Sequence, residues 1–351
     1  MRNTSGKVIL FDDKPGKQRL SRTNFGLTGF MCKGANSSVY ARWSRNSCFL
    51  WPEFAKKLES DSGMDVDLAW TGGAVHCIGR EQWDASAAGV ENLKNVCAQA
   101  GLDYPVEMLD RNQFQEVIPK MEVGEKVSGA MYTREQGHIN PLALLGALRR
   151  AFIRSQGEFL PHHSVRKIIP KNGRAIVKTN QGDFEAAKVV VAAGHGSTRI
   201  LKDIGTTLNI YPQRGQLMVS ERCEPGLLPL AVLAVRQNGE GTFQIGLSTE
   251  DAAHDVRVTP RTLQNQARGA IELFPKLANV NWLRAWAGIR VMTRDGAPVY
   301  DTVPGYDNIF MLALHSAVAL TPMHATSIAS WIAGGPKPEE VEHFNNGRFD
   351  V

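Results

Sequence analysis

The sequence predicts an α/β chain of two domains, one built on a parallel sheet and one on an antiparallel sheet. Three observations carry this. Short continuous apolar runs at Lys7–Phe11 and Lys188–Ala193 read as buried parallel strands. Between Leu208 and Arg290 the pattern changes to alternation, as in a sheet with one covered face. From Asn308 the buried strand and following helix return, so the antiparallel domain reads as an insertion between pieces of the α/β domain.

The elements follow in order. The run Lys7–Phe11 ends in Asp12-Asp13, and a glycine- and basic-rich loop continues to Gly34. Residues 37–60 read as helical, with Tyr40, Trp43, Phe49, Trp51 and Phe54 as packing residues. Asp65 to Ile78 alternates around Gly72-Gly73, which suggests strands with a turn. An amphipathic segment covers 84–100 and stops at Gly101. Asn140-Pro141 is a helix start, because Asn caps and Pro suits the first turn; that helix ends by Gly157. Val165–Ile169 and Ala175–Lys178 flank Asn172-Gly173, a hairpin signal. Gly215–Ser220, Thr242–Gly246 and Asn281–Val291 are strand-like, and 260–274 supplies a helix. Thr321-Pro322 reads as N-cap and first residue of a helix running to Gly334-Gly335.

At 351 residues the chain is long enough for a large core, and its charge of +5 is mild and scattered. Without a basic stripe, nucleic acid is a poor partner, and a small anionic ligand fits better. No apolar run reaches membrane-spanning length, and the first residues read as neither anchor nor signal peptide. Cys32, Cys48, Cys77, Cys97 and Cys223 are odd in number and lack CxxC spacing. They read as structural thiols in a reducing, cytoplasmic compartment, without a metal site.

Several groupings can carry chemistry. Gly194-His195-Gly196 after a strand suggests a nucleotide loop, but Arg199 stands where a third glycine belongs. A nicotinamide dehydrogenase is therefore the weakest reading, and a tight strand-to-helix turn is the plain one. Asp12 or Asp13 suits a ribose, or is a solvated turn carboxylate. Ser21, Arg22 and Asn24 beside glycines suit a pyrophosphate, or form a surface loop. Arg290 is the sharpest residue. Leu283, Ala285, Ala287, Ile289 and Val291 share one strand face; Trp282, Arg284, Trp286, Gly288 and Arg290 share the other. A guanidinium ending that row either clamps a carboxylate or extends to solvent. His315 is either a ligand contact or a core histidine, and the helix start behind it favours an anion. His162, His163, His254 and His324 have no metal spacing.

Together these pieces resemble the FAD-dependent amino- and imino-acid oxidoreductases of the D-amino-acid oxidase and glycine oxidase family. The matching segments are Val8–Asp12, Ser21–Gly26, Gly137–Pro141, Val189–Gly194, Arg214–Gln216, Gly288–Pro298, His315–Pro322 and Gly347–Phe349. Ser21–Leu27 and His315–Val318 look most like the β subunits of opine oxidases, hydroxyproline dehydrogenases and hydrogen cyanide synthase. The resemblance implies a Rossmann-like FAD-binding domain over 1–64, 137–205 and 292–351, and an inserted antiparallel-sheet substrate domain over 65–136 and 206–291. It also implies an α subunit or iron–sulfur subunit as partner, with peripheral membrane contact through such partners as one option.

By the same resemblance, Asp12 takes the ribose and Ser21 and Arg22 approach the pyrophosphate. Val165 lies near the adenine, and Ala193-Gly194 turns beneath the cofactor. Arg290 holds the substrate carboxylate. His315, Ser316, Ala317, Val318 and Thr321 line the flavin ring, and the helix from Pro322 stabilises the reduced ring's charge. The implied reaction is hydride transfer from the α-carbon of an amino, imino or opine-type acid to flavin, giving an imine that water hydrolyses. Two departures stand out. Family members place a strand and a GxGxxG loop ahead of the strand that starts here at Lys7, so that first strand and loop are expected to be missing. Val291 follows Gly288-Ile289-Arg290 where many relatives have proline. The first departure keeps open an alternative: a non-catalytic remnant or interaction subunit without productive FAD binding.

Overall fold

The structure, a computed structural model, describes residues 6–16, 19–35 and 37–350. The alternating stretch folds into an eight-stranded mixed sheet. Its strand order is Trp282–Met292, Tyr211–Arg222, Thr242–Ile245, Val235–Gln237, Ala231–Val232, Gly73–Ile78, Val127–Thr133 and Glu107–Asp110. Every neighbouring pair is antiparallel except Ala231–Val232 against Gly73–Ile78, which run parallel. The sheet is largely antiparallel, as expected, with one parallel join. Gly73 begins its strand instead of sitting in a turn.

Alternation gives this sheet two covered faces. On Val127–Thr133, Ala130 and Tyr132 join a core that includes Phe114, Phe243 and Phe274, while Met131 joins another with Phe30, Val90 and Leu93. The helix Pro260–Leu273 lies on the first face and Gly79–Ala98 on the second.

The α/β part divides into separate small sheets. Ile9–Asp12 pairs in parallel with Glu158–Pro161. Val189–Val191 pairs in parallel with Tyr306–Ala313, which carries Val299–Val303 antiparallel on its other edge. Among the described residues, Ile9–Asp12 and Val189–Val191 each have one hydrogen-bonded neighbour. The two apolar runs expected to be buried therefore expose side chains: Leu10 is 45% exposed and Val190 42%. A strand paired on one edge covers less of its surface than one in mid-sheet.

Local signals explain the helices. Asn140 Oδ1 accepts from the N–H groups of Leu142 and Ala143 at 3.0 and 3.3 Å, opening Pro141–Arg154. Ser38–Phe49 is capped by Ser37, and Trp51–Ser62 ends on Gly63 at φ +65°. Trp43 and Trp51 are fully buried, whereas Phe49, expected as packing, is exposed and carries Arg45 on its ring at 4.3 Å. Asn172 and Gly173 both have positive φ and turn Val165–Lys171 back onto Arg174–Thr179. No helix among the described residues is long and apolar enough to cross a membrane.

Candidate active site

An open cleft forms where the strands Tyr211–Arg222 and Trp282–Met292 meet the short helix Leu20–Thr23 and the loop after Ala313. Its wall includes Thr23, Asn24, Gly26, Lys33, Gly215, Gly288, Arg290, His315, Ser316 and Val318.

Two glycines set this geometry. Gly215 and Gly288 face each other in register across the two strands. A Cβ on Gly288 would stand 2.2 Å from Thr23 Oγ1, so only glycine lets the Leu20–Thr23 helix settle on the strand. Trp286 Nε1 holds the same helix by donating to the Thr23 carbonyl at 3.3 Å. A Cβ on Gly215 would stand 2.5 Å from Arg290 Nη2, so the guanidinium lies back over a bare stretch of backbone.

Arg290 is half-buried, and its Nη1 donates to Gln213 Oε1 at 3.4 Å and to the Arg214 carbonyl at 3.2 Å. Both acceptors are neutral. Burial moves the guanidinium below the ordinary arginine range, while the Glu250 carboxylate pulls the other way. An arginine stays charged regardless. His195 Nε2 lies 2.9 Å from the Arg290 carbonyl and braces the backbone from behind.

Behind the arginine is a polar lock. Arg214 Nη2 donates to Glu250 at 2.8 Å, Gln216 Nε2 donates to it at 2.9 Å, and Ser248 and Thr262 donate at 3.0 and 3.1 Å. Burial alone would raise the Glu250 carboxyl, but these four donors hold it below its ordinary value. They fasten the segment after Gly246 to the strand that carries Gly215.

Across the cleft, His315 shows its surface to the open space, yet protein crowds its ring from the other side. Burial, then the positive charges of Arg290 and Lys33, lower its pKa to about 4. It is neutral near pH 7. The chain then enters a helical stretch, Thr321–Ala333, interrupted by a π-turn at His324–Ile328. Thr321, expected as the cap, is already the first helical residue. Its hydroxyl donates back to the Ala317 carbonyl at 2.9 Å, and Leu320 takes the cap position without a side-chain bond.

The structure gathers some of the predicted residues and leaves others apart. Arg290, His315, Ser316 and Val318 line the cleft. Ala317 and Thr321 belong to the same loop and helix start but are not part of the wall. Ser21 and Arg22 are exposed on the Leu20–Thr23 helix. Asp12 accepts from the Lys14 N–H at 3.0 Å and sits 3.4 Å from Arg19. Gly194, at φ +58°, makes a tight turn into the helix Gly196–Lys202, closed by the Gly196 N–H on the Ala193 carbonyl at 3.0 Å. Arg199 on that helix donates to the carbonyls of Val165 and Arg166 at 2.7 and 3.0 Å. Three expectations are corrected. Leu283 is 68% exposed, so the apolar face is not covered at that position. Cys32, read as a structural thiol, is exposed. The row Trp282–Arg290 is shorter as a wall than its alternation suggests, because only Gly288 and Arg290 of it reach the cleft. Sequence reasoning missed Thr23, Gly215 and Lys33 as wall residues. Gly215 carries a weak signal, glycine between Arg214 and Gln216 in an apolar strand; Lys33 carries none.

Residues 2–331 match the family model described as FAD dependent oxidoreductase. Among curated relatives, an opine oxidase subunit from Agrobacterium tumefaciens (strain Ach5) is 32% identical over 343 residues, 98% of this chain and 91% of that protein. The corresponding opine oxidase subunit from Rhizobium meliloti is 33% identical over 95% of this chain and 88% of its own length. The crystal structure of glycine oxidase from Geobacillus kaustophilus superposes with a TM-score of 0.85 at 24% identity, covering 97% of this chain and 92% of that one.

Proposed function

The chain belongs to the FAD-dependent oxidoreductase family, and from that premise we propose that it oxidises an amino, imino or opine-type acid at the carbon next to its carboxylate. The observation that carries this reading is Arg290: a charged guanidinium on the wall of a cleft, bonded among the described residues to neutral oxygens and facing the loop from His315 to Ala319. Such a group takes a carboxylate in a two-pronged contact.

The cleft wall fits a flat ring with a polar edge. Leu20, Leu217, Leu247 and Val318 supply apolar surface, Arg290 supplies positive charge, and among the described residues the buried Asn24 Oδ1 has no partner. His315, Ser316 and Val318 would hold the ring, with Ala317 and Thr321 behind them. Asp12, Ser21, Arg22, Val165, Ala193 and Gly194 would hold the dinucleotide. Bound FAD supplies the acceptor for the two electrons that leave with the α-hydrogen.

The protein's own part is to bind and orient. Arg290 fixes the carboxylate, and with it the direction of the α-carbon. Neutral His315 adds no third positive charge, so a substrate amine meets less repulsion there. Residues 1–64, 137–205 and 292–351 would serve the cofactor, and 65–136 with 206–291 the substrate. The reading includes a second polypeptide, such as an α or iron–sulfur subunit, since two relatives are themselves named as subunits. A cytoplasmic site of action belongs to the same proposal.

A second reading, a subunit without productive FAD, draws on the exposed Leu10 and Val190 and on Gly194 lying outside the cleft wall. One experiment separates the two. The purified chain is mixed with FAD and its visible spectrum is recorded before and after anaerobic addition of an N-substituted amino acid. Flavin absorbance that bleaches is the expected result; no flavin absorbance after reconstitution supports the second reading. In the bleaching enzyme, Arg290→Leu raises KM for the acid about 100-fold, the worth of a charged bidentate contact, with flavin content unchanged. Equal loss of both would make Arg290 a structural residue.

A further inference from the structure

Lys33 lines the same cleft as Arg290, in the turn that follows Phe30. It sits in a tight turn: its N–H donates to the Phe30 carbonyl at 3.1 Å, and Cys32 and Gly34 on either side have φ of +63° and +74°. Its Nζ donates to the Gly29 carbonyl at 2.8 Å, within the same turn. That bond fixes where the ammonium points and uses one of its three donors.

Among the described residues Lys33 makes no ion pair. Burial lowers its pKa from the ordinary lysine range, while the nearby Cys48 and Cys32 thiols act in the opposite direction. Burial pushes the Cys48 thiol up to about 12, and protein packed on one side of the otherwise exposed Cys32 raises its thiol too, so neither supplies a negative charge near pH 7. The cleft therefore holds two positive charges, the Lys33 ammonium and the Arg290 guanidinium, together with a neutral His315, and both charges are felt by that imidazole. One carboxylate on Arg290 leaves the second cation unanswered. A half-buried charge without a counter-charge costs free energy, which a ligand carrying the missing charge recovers.

We propose that Lys33 is a second anion anchor and selects substrates that carry a further acidic group beyond the amine. This rests on the reading of the cleft as an amino-acid site and narrows it to acids with two negative groups. Lys33 is then a specificity-determining residue.

The test is calorimetric binding to the full chain in the presence of FAD, with two probes that share an amine. Iminodiacetate carries two carboxylates; N-methylglycine carries one. The expected result is a preference for iminodiacetate of about 10-fold or more, as one added charge-assisted contact gives. Lys33→Met removes that preference while N-methylglycine binding changes less than about 2-fold, and Lys33→Arg restores part of it. Lys33→Gln repeats the measurement should the methionine variant not fold, with circular dichroism as the check. Lys33 has no such role if Lys33→Met weakens both probes alike, leaves the preference intact, or lowers FAD content instead. Wild-type binding of both probes without preference overturns the anchor alone. Binding of neither probe overturns the amino-acid reading of the cleft, and the anchor with it.

Discussion

A methyl group on Gly215 would lie 2.5 Å from Arg290 Nη2 and 2.7 Å from its Cζ, well inside contact distance. The obstacle is a flexible side chain and not backbone, so the protein yields by moving the guanidinium. Gly215→Ala is therefore expected to keep the fold and shift the arginine. KM for the acid rises about 10-fold, the equivalent of about 1.4 kcal/mol of lost contact, while the melting temperature stays near wild type. Steady-state kinetics beside a thermal melt check this; an unchanged KM would show that the guanidinium is not held by that bare backbone. Residue by residue, the sequence makes Arg290 visible, because strand alternation sets it on a face with tryptophans and glycine. It does not make Gly215 visible as its bed. That pairing depends on the register of two strands about 70 residues apart, Gly215 against Gly288. Lys33 is harder still, since its direction comes from a turn with no regular period.

The segment from Leu247 to Thr259 is an irregular piece between the sheet and the helix Pro260–Leu273, and Glu250 is what ties it down. Its partner Arg214 is nearly buried, with a side-chain exposure of 8%. Glu250→Ala leaves that guanidinium with the Asp255 carboxylate, 3.4 Å away, and the carbonyls of Asp255 and Arg257. Stripping the main counter-charge from a buried arginine costs about 3 kcal/mol. Urea unfolding should show that loss, and limited proteolysis should cut first within 247–259; wild-type stability would mean Asp255 suffices. At this scale the sequence reads well wherever a local rule acts alone. Asn140-Pro141 opens a helix and Asn172-Gly173 closes a hairpin because caps and type I′ turns need only neighbouring residues. It reads poorly where a neighbour in space decides. Thr321 looks like a cap, yet its hydroxyl finds the Ala317 carbonyl in the turn before it. Lys7–Phe11 looks doubly covered, yet Leu10 is exposed.

Across the whole molecule, buried neutral histidines make the fold sensitive to acid. His138 is 3% exposed; burial, and then Arg236 at 3.3 Å from its Nδ1, lower its pKa to about 3. In the unfolded chain a histidine titrates near 6.5. Between those values the unfolded state binds the proton and the folded state does not, so stability falls as pH drops below about 6.5 and levels out only near 3. At pH 5 His138 alone removes about 2 kcal/mol. His324, lowered by burial to about 4 beside Tyr300, acts in the same direction. Urea midpoints at pH 7.5 and pH 5 should differ accordingly, and His138→Gln should narrow the gap; equal midpoints would sink the argument. The sequence by itself determined the class of the fold, an α/β part and a largely antiparallel sheet, because strand and helix periods depend on side chains alternating along one local piece of chain. It also set Arg290 on a strand face with a glycine, and that arginine lies on the cleft wall. Only the tertiary structure decided what shares a wall with it. Lys33, Thr23, Gly215 and His315 come from four separate segments, and their meeting depends on strand register and on how closely glycine lets backbones approach, neither of which has a local period to read.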